Sequence, residues 1–99
     1  MKGQEVEEEI EFMPKHTVLV VDDESAIREM LSISLDAADF NVLQASNAQQ
    51  AHAIIVDRHP DLVLLDWMMP GTSGLELLRR LKRDEITEKI PVIMLTAKA

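Results

Sequence analysis

Four polar residues follow directly on short runs of aliphatic residues. Asp22 and Asp23 come after one run, Asp66 after another and Thr96 after a third. Carboxylates are the usual protein ligands of hard cations such as Mg²⁺. Three carboxylates held close together would force at least one to keep its proton unless a cation is present. If the fold gathers the ends of these runs, the residue types therefore predict a divalent-cation site.

Each of these residues also has a simpler explanation. Asp22 and Asp23 could cap a following helix, Asp66 could open a turn, and Thr96 could be a surface hydroxyl. The joint arrangement favours a site, because chance placement of all four residues at strand ends is much rarer than placement of one.

Short apolar runs alternate along the chain with stretches of helical periodicity. Ser25 and Asn47 are predicted N-caps. In the first helix, Ile27, Met30 and Leu31 are predicted to face inward together with Ser34, Leu35 and Ala38. The pattern predicts strands at 17–21, 41–45, 62–65 and 91–95, and helices at 26–38, 48–56 and 75–82.

The predicted order is βαβαβαβ, which is typical of an α/β protein. Strands that are apolar on both faces and alternate with helices indicate a parallel sheet covered on both sides. Right-handed crossovers then make an open, doubly wound fold. Ligands of such folds bind outside the carboxyl ends of the strands, which is where the four polar residues lie.

Composition excludes several classes of protein. The 99 residues are enough for one domain, and the absence of cysteine excludes disulfides and thiol chemistry. The net charge of −8 argues against direct binding to nucleic acid or to anionic membranes. The longest aliphatic runs have four residues, far short of the roughly 20 that a membrane span needs. We therefore expect a cytoplasmic protein.

Residues 1–15 form an acidic leader ahead of the first strand. Five glutamates and one lysine lie in positions 1–13. Such charge runs are usually solvated tails. A short helix is the alternative, because Val6, Ile10 and Met13 have the spacing of one apolar stripe and Pro14 would end it.

Three segments resemble a known family. VLVVDDES, LVLLDWMMPGTSGLELLRRLK and IPVIMLTAKA are similar to the receiver domain of two-component response regulators, and the similarity covers residues 16–99. DWMMPGTSG followed by IPVIMLTA is most similar to the PhoB-type subfamily of DNA-binding regulators. The resemblance implies a flavodoxin-like receiver fold with strand order 2-1-3-4.

The resemblance also implies roles for individual residues. Asp66 would be the phosphoacceptor, which takes a phosphoryl group from the phosphohistidine of a sensor histidine kinase. Asp23, Asp66 and the main-chain carbonyl of Met68 would bind Mg²⁺ directly, and Asp22 would assist through water. Thr96 would be the switch hydroxyl that turns toward the phosphoryl group. The output would be a conformational or assembly switch leading to transcription.

The family pattern continues beyond the segments found here. A receiver usually has a fourth helix, a fifth strand ending in a lysine, and a fifth helix, and Lys98 is no obvious substitute for that lysine. We therefore expect a truncated receiver in which phosphorylation of Asp66 is slow and poorly transmitted. We also expect self-association, because the edge strand Pro91–Leu95 and the face carrying Ile27 would lack their usual cover.

Two other functions remain open at this point. An aspartate-nucleophile phosphohydrolase shares the fold type, but it places a second acid two residues after its nucleophile on the first strand, whereas Asp22 and Asp23 are adjacent. We therefore expect a phosphoacceptor protein rather than an enzyme. The alternative is a non-catalytic interaction fragment or an engineered half-receiver with impaired phosphorylation.

Overall fold

A computed structural model describes residues 15–95 of the chain. Four strands and three helices alternate over this range. They are β1 (Thr17–Val21), α1 (Ser25–Ala37), β2 (Asn41–Ala45), α2 (Ala48–Arg58), β3 (Leu62–Asp66), α3 (Gly74–Arg83) and β4 (Val92–Leu95).

The strands form one parallel sheet in the order β2-β1-β3-β4. β1 lies between β2 and β3, so that Val21 pairs with Ala45 on one side and with Leu65 on the other. β4 pairs in parallel with β3. The predicted α/β fold and its 2-1-3-4 strand order are therefore confirmed.

The core lies where the helices cover the sheet. Leu19, Val63 and Leu65 are completely buried, as expected for parallel strands with both faces covered. Ile55 of α2 and Leu77 of α3 are equally inaccessible and belong to the same apolar cluster. This packing holds α2 and α3 in place against the sheet.

Side-chain caps begin two of the helices. Asn47 accepts a hydrogen bond from the Gln50 N–H at 2.8 Å, so the predicted cap of α2 is confirmed. Ser73 accepts one from the Glu76 N–H at 3.2 Å and begins α3. Both contacts satisfy an N–H group that has no acceptor within its own helix.

The prediction that Ser25 caps the first helix is wrong. Ser25 is the first helical residue, and the preceding Glu24 occupies the cap position with no side-chain cap bond. The side chain of Asp22 bonds to the Glu24 N–H at 2.9 Å instead. The aspartate therefore stabilises the turn into α1 from two residues earlier in the chain.

The predicted inner face of α1 is only partly correct. Ile27, Leu31 and Leu35 are half-buried, whereas Met30 is 58% exposed. Ser32 is buried instead, and its hydroxyl donates to the Arg28 carbonyl at 2.7 Å. A serine whose hydroxyl is satisfied within its own helix can face the sheet at little cost.

None of the helices within residues 15–95 is both long enough and apolar enough to cross a lipid bilayer.

Candidate functional site

Three carboxylates meet at the carboxyl edge of the sheet. Asp66 is the last residue of β3, and Asp22 and Asp23 follow β1 directly. Val21 pairs with Leu65. The next residue on each strand, Asp22 after β1 and Asp66 at the end of β3, therefore lies beside the other. One carboxylate oxygen from each aspartate lies within 4.8 Å of the others. The two strand ends thus gather the acids that the sequence predicted.

Burial distinguishes the three acids. Asp22 and Asp66 are each 4% exposed, whereas Asp23 is exposed. Two carboxylates are therefore largely shielded from water and the third faces solvent. This arrangement leaves one side of the cluster open for an ion or a phosphate to enter.

The loop after β1 is stabilised by its own polar groups. The Asp22 N–H donates to the Ala45 carbonyl at 3.2 Å and continues the ladder with β2. The Asp22 side chain then accepts from the Glu24 N–H, while its carbonyl accepts from Arg28 Nη1 at 2.8 Å. Asp22 is thus held through its N–H, its carbonyl and its carboxylate.

Arg28 is a residue that the sequence reasoning missed. Its guanidinium joins the Asp22 carbonyl to the Gln44 side chain, which it reaches through Nε at 3.2 Å. It therefore connects α1, the acidic loop and β2. The only signal in the sequence was a cation on the first turn of a helix that follows two acids, and such a residue usually faces solvent.

The loop after β3 is fixed close to Asp66. The Met68 N–H donates to Asp66 Oδ1 at 3.3 Å. The Trp67 N–H donates to the Leu95 carbonyl at 3.1 Å, and the Trp67 carbonyl accepts from the Gly74 N–H at 3.2 Å. The main chain just before Met68 is thereby tied both to β4 and to the start of α3.

Gly74 packs directly against the main chain of Asp66. A Cβ atom at position 74 would overlap the Asp66 carbonyl oxygen and lie 3.2 Å from the Trp67 Cα. Gly71 instead has a positive φ of 77° and open space around it. Position 74 requires glycine because the main chain of Asp66 approaches so closely, and position 71 favours glycine because of its positive φ.

A shallow apolar cleft adjoins the acids. It has a volume of about 440 Å³ and is lined by Trp67, Met68, Met69, Pro70 and Ser73. The exposed fractions are 44% for Trp67 and 60% for Met68, so both side chains lie at the surface beside Asp66. The single tryptophan of the chain can therefore report on events at the cluster.

The residues present fit a hard divalent cation. The donors are carboxylate oxygens from two neighbouring strand ends, which is the chemistry that Mg²⁺ prefers. No other group of three or more potential metal-ligating side chains occurs within the described range. Asp22, Asp23 and Asp66 are therefore the candidate metal ligands in this part of the chain.

Two residues considered at the sequence level, Thr96 and Lys98, lie outside the described residues. The alternative leader helix with Val6, Ile10 and Met13 also lies outside them. Lys15, the last residue of the leader, is described and forms an ion pair with Asp39 at 3.2 Å.

Comparison with known proteins agrees with this geometry. Residues 18–99 match the family model described as the response regulator receiver domain. The chain belongs to this receiver family. Among curated relatives, it is 67% identical over 82 residues to the phosphate regulon transcriptional regulatory protein PhoB of Pseudomonas aeruginosa. It is 44% identical over 81 residues to the protein of that name from Escherichia coli K12. The receiver is therefore similar in sequence to that of PhoB proteins.

The alignments cover most of this chain but little of those relatives. They span 83% of the chain and 36% of the Pseudomonas protein, and 82% and 35% for the Escherichia coli protein. The chain thus corresponds to about a third of the length of these curated relatives.

Solved receiver structures have the same fold. The N-terminal domain of a response regulator receiver protein from Methanoculleus marisnigri aligns with a TM-score of 0.82 and 40% identity. That alignment covers 84% of this chain and 68% of that one. Chemotaxis protein CheY4 of Vibrio cholerae aligns with a TM-score of 0.81 and 29% identity, over 87% and 72% of the two chains. Both likenesses support the receiver fold.

Proposed function

We propose that the chain is a phosphoacceptor signalling module in which Asp66 receives a phosphoryl group from a sensor histidine kinase. The observation that carries the proposal is the position of Asp66. It is a buried aspartate at the end of β3, within 4.8 Å of two further carboxylates, in a receiver of the PhoB type. Phosphorylation-based signalling is the activity that membership of this family implies.

The chemistry is a transfer from nitrogen to oxygen. A carboxylate oxygen of Asp66 attacks the phosphorus atom of the kinase phosphohistidine. The P–N bond breaks, an acyl phosphate forms, and the released imidazole nitrogen takes up a proton. Such transfers depend mainly on positioning and on neutralising charge. The hydrogen bond from Met68 and the packing of Gly74 hold Asp66 in place for this attack.

Asp23, Asp66 and the main-chain carbonyl of Met68 would bind Mg²⁺ directly. Asp22 would assist through water. When bound, the ion supplies positive charge that offsets the carboxylates and an incoming phosphate. Asp22 is suited to a supporting role, because its main chain and side chain are already held by Ala45, Arg28 and Glu24.

The proposed output is a switch that leads to transcription. Thr96, by resemblance, would turn toward the phosphoryl group and pass the change on as a conformational or assembly switch. The curated relatives are named transcriptional regulatory proteins, which supports such an output. The strongly acidic chain itself would not contact nucleic acid or membranes, and we place its action in the cytoplasm.

We propose that the chain is not an enzyme with turnover on a separate substrate. The adjacent placement of Asp22 and Asp23 differs from the two-residue spacing of aspartate-nucleophile phosphohydrolases. A non-catalytic interaction fragment or engineered half-receiver is the second candidate. An intact fold that gains no phosphoryl group at Asp66 would favour this second candidate, so one measurement separates the two.

The test is intact-mass spectrometry of the 99-residue chain with a small-molecule phosphodonor and Mg²⁺. We expect a slow gain of one phosphoryl group, which disappears in Asp66→Asn and without the metal. Asp57→Asn, at an exposed position on α2, is the matched control and should label like the unaltered chain. Failure to label while Mg²⁺ still binds would favour the interaction fragment.

A further inference from the structure

Helix α3 carries a stripe of arginines on its outer face. Arg79, Arg80 and Arg83 are exposed and line a surface pocket of about 220 Å³ together with Glu76. Their i, i+3, i+4 and i+7 spacing places the four residues on one side of the helix. Four of the ten basic residues of this acidic chain lie in positions 79–83. We call Arg79, Arg80 and Arg83 the arginine stripe.

The arginine stripe is not used by the fold. Within residues 15–95, the three guanidinium groups have no hydrogen bond or ion pair. Lys82 differs, because its Nζ donates to the carbonyls of Glu88 and Ile90 at 2.9 and 3.3 Å. Only one acid, Glu76, shares the pocket with the stripe. The positive charge of the stripe is therefore available to an anionic partner.

The stripe reaches the end of the sheet at which the leader joins the fold. All four strands are parallel, so their first residues lie at one edge. α3 runs back from the carboxyl edge and ends at Arg83, where Lys82 binds the carbonyls just ahead of β4. β1 begins at the same edge, directly after the leader.

The leader has the charge and the length to reach this surface. Its five glutamates lie within positions 5–11. When extended, the chain from Glu11 to Thr17 spans up to ~20 Å and the chain from Glu5 to Thr17 up to ~40 Å, whereas a domain of about 100 residues has a radius of gyration of about 13 Å. Carboxylates and guanidinium groups form paired hydrogen bonds that lysine cannot match. The charge of the leader, its reach and its point of attachment are thus all compatible with contact between the leader and the arginine stripe.

We propose that residues 5–11 of the leader dock on the arginine stripe of the same chain. Exposed ion pairs are individually weak, but attachment through a short linker raises the effective concentration of the leader to the millimolar range. The contact is therefore intramolecular and sensitive to salt. It does not depend on the phosphorylation of Asp66.

The test uses the full 99-residue chain with a nitroxide on Gln4→Cys, a substitution that keeps the leader's charge. Because the chain has no cysteine, this is the only labelled site. At an ionic strength of about 0.02 M, we expect at least twofold loss of NMR amide intensity at residues 79–83. At about 1 M, where the Debye length is only about 3 Å, the intensity should return. Full intensity at low salt would mean a solvated leader and would overturn the proposal.

A charge-matched pair of variants tests the position of the charge. Arg80→Gln combined with Arg83→Gln should abolish the broadening, whereas Arg58→Gln combined with Lys89→Gln should keep it. Both pairs remove two exposed cations from the same chain. An equal loss in the second pair would indicate diffuse attraction and contradict docking.

Mixing spin-labelled chain with unlabelled, ¹⁵N-enriched chain separates the possible occupants. When both chains also carry Ile93→Lys, which hinders pairing through the edge of β4, intramolecular docking predicts no broadening at residues 79–83 of the enriched copy. Broadening in the mixture would assign the stripe to the leader of a second copy and would overturn the intramolecular contact.

Discussion

Gly74 and Asp66 are in contact through their main chains, so that no side chain can be accommodated at position 74 without moving the main chain of the proposed phosphoacceptor. The first residue of α3 and the last residue of β3 are thus packed as one unit. The short loop between them carries Trp67 and Met68. Changes on the α3 side of this loop should therefore be felt at the acidic cluster.

Gly74→Ala should destabilise the protein by about 1–3 kcal/mol, because overpacking a rigid main-chain contact forces the backbone to shift. Urea unfolding monitored by Trp67 fluorescence measures the change. Gly71→Ala is the matched control, since its cost of about 1 kcal/mol arises from the positive φ alone. Greater sensitivity at position 71 than at 74 would contradict this account of the packing.

Mg²⁺ should bind at a single site and alter Trp67 fluorescence. Asp23→Ala should abolish binding or weaken it at least tenfold, because it removes one of the three gathered carboxylates. Titration calorimetry with Mg²⁺ or Mn²⁺ gives the affinity. Asp57→Asn serves as the control for a lost surface carboxylate. The absence of binding at millimolar metal concentrations would contradict the proposed metal site.

In metal-free buffer, Asp66→Asn should stabilise the fold by on the order of 1 kcal/mol, since it relieves the crowding of three carboxylates held close together. Adding Mg²⁺ should make the unaltered chain more stable than the variant, because the ion binds and stabilises only the unaltered chain. Thermal unfolding with chelator and with metal provides both comparisons. A variant less stable than the parent under both conditions would show that Asp66 has a structural role.

Arg28→Lys should weaken Mg²⁺ binding severalfold with little loss of helix content. A lysine cannot bond both the Asp22 carbonyl and the Gln44 side chain with the geometry of the guanidinium group. Arg58→Lys, at an exposed position on α2, controls for the chemical change. Equal metal affinity in both variants would limit Arg28 to a role in stability.

A polypeptide of these 99 residues should self-associate. Within the described range, β4 pairs with β3 alone, and its Ile93 side chain is 51% exposed. Edge strands of this kind pair readily with other chains. Light scattering should show a mass that rises with concentration, and Ile93→Lys should lower it. A monomeric mass throughout would contradict this expectation.

Much of the site was predictable because it depends on topology. Once the apolar runs are assigned to parallel strands, the acids that follow them must share an edge, and Asp22, Asp23 and Asp66 do so. The cap at Asn47 followed from residue type and position alone. These features depend on local chemistry and on the direction of the strands, which the sequence pattern reports well.

The rest depended on side-chain packing. Helix α1 has apolar residues on more than one face, so periodicity placed Met30 inward, although it is exposed and Ser32 is buried. Arg28 resembled an ordinary surface residue, because its partners at Asp22 and Gln44 come from other parts of the chain. A pattern read along one helix cannot report such contacts.

The pairing of Val21 with Leu65 would give the proposed metal site a second use, as a sensor of strand alignment. A slip of one residue between β1 and β3 would displace Asp66 by about 3.3 Å along the strand and turn its side chain to the opposite face. Misaligned chains could keep most of their sheet and helix content and still lose the cluster. Recovery of metal affinity during refolding would therefore measure the fraction of molecules with the native alignment, which circular dichroism does not distinguish.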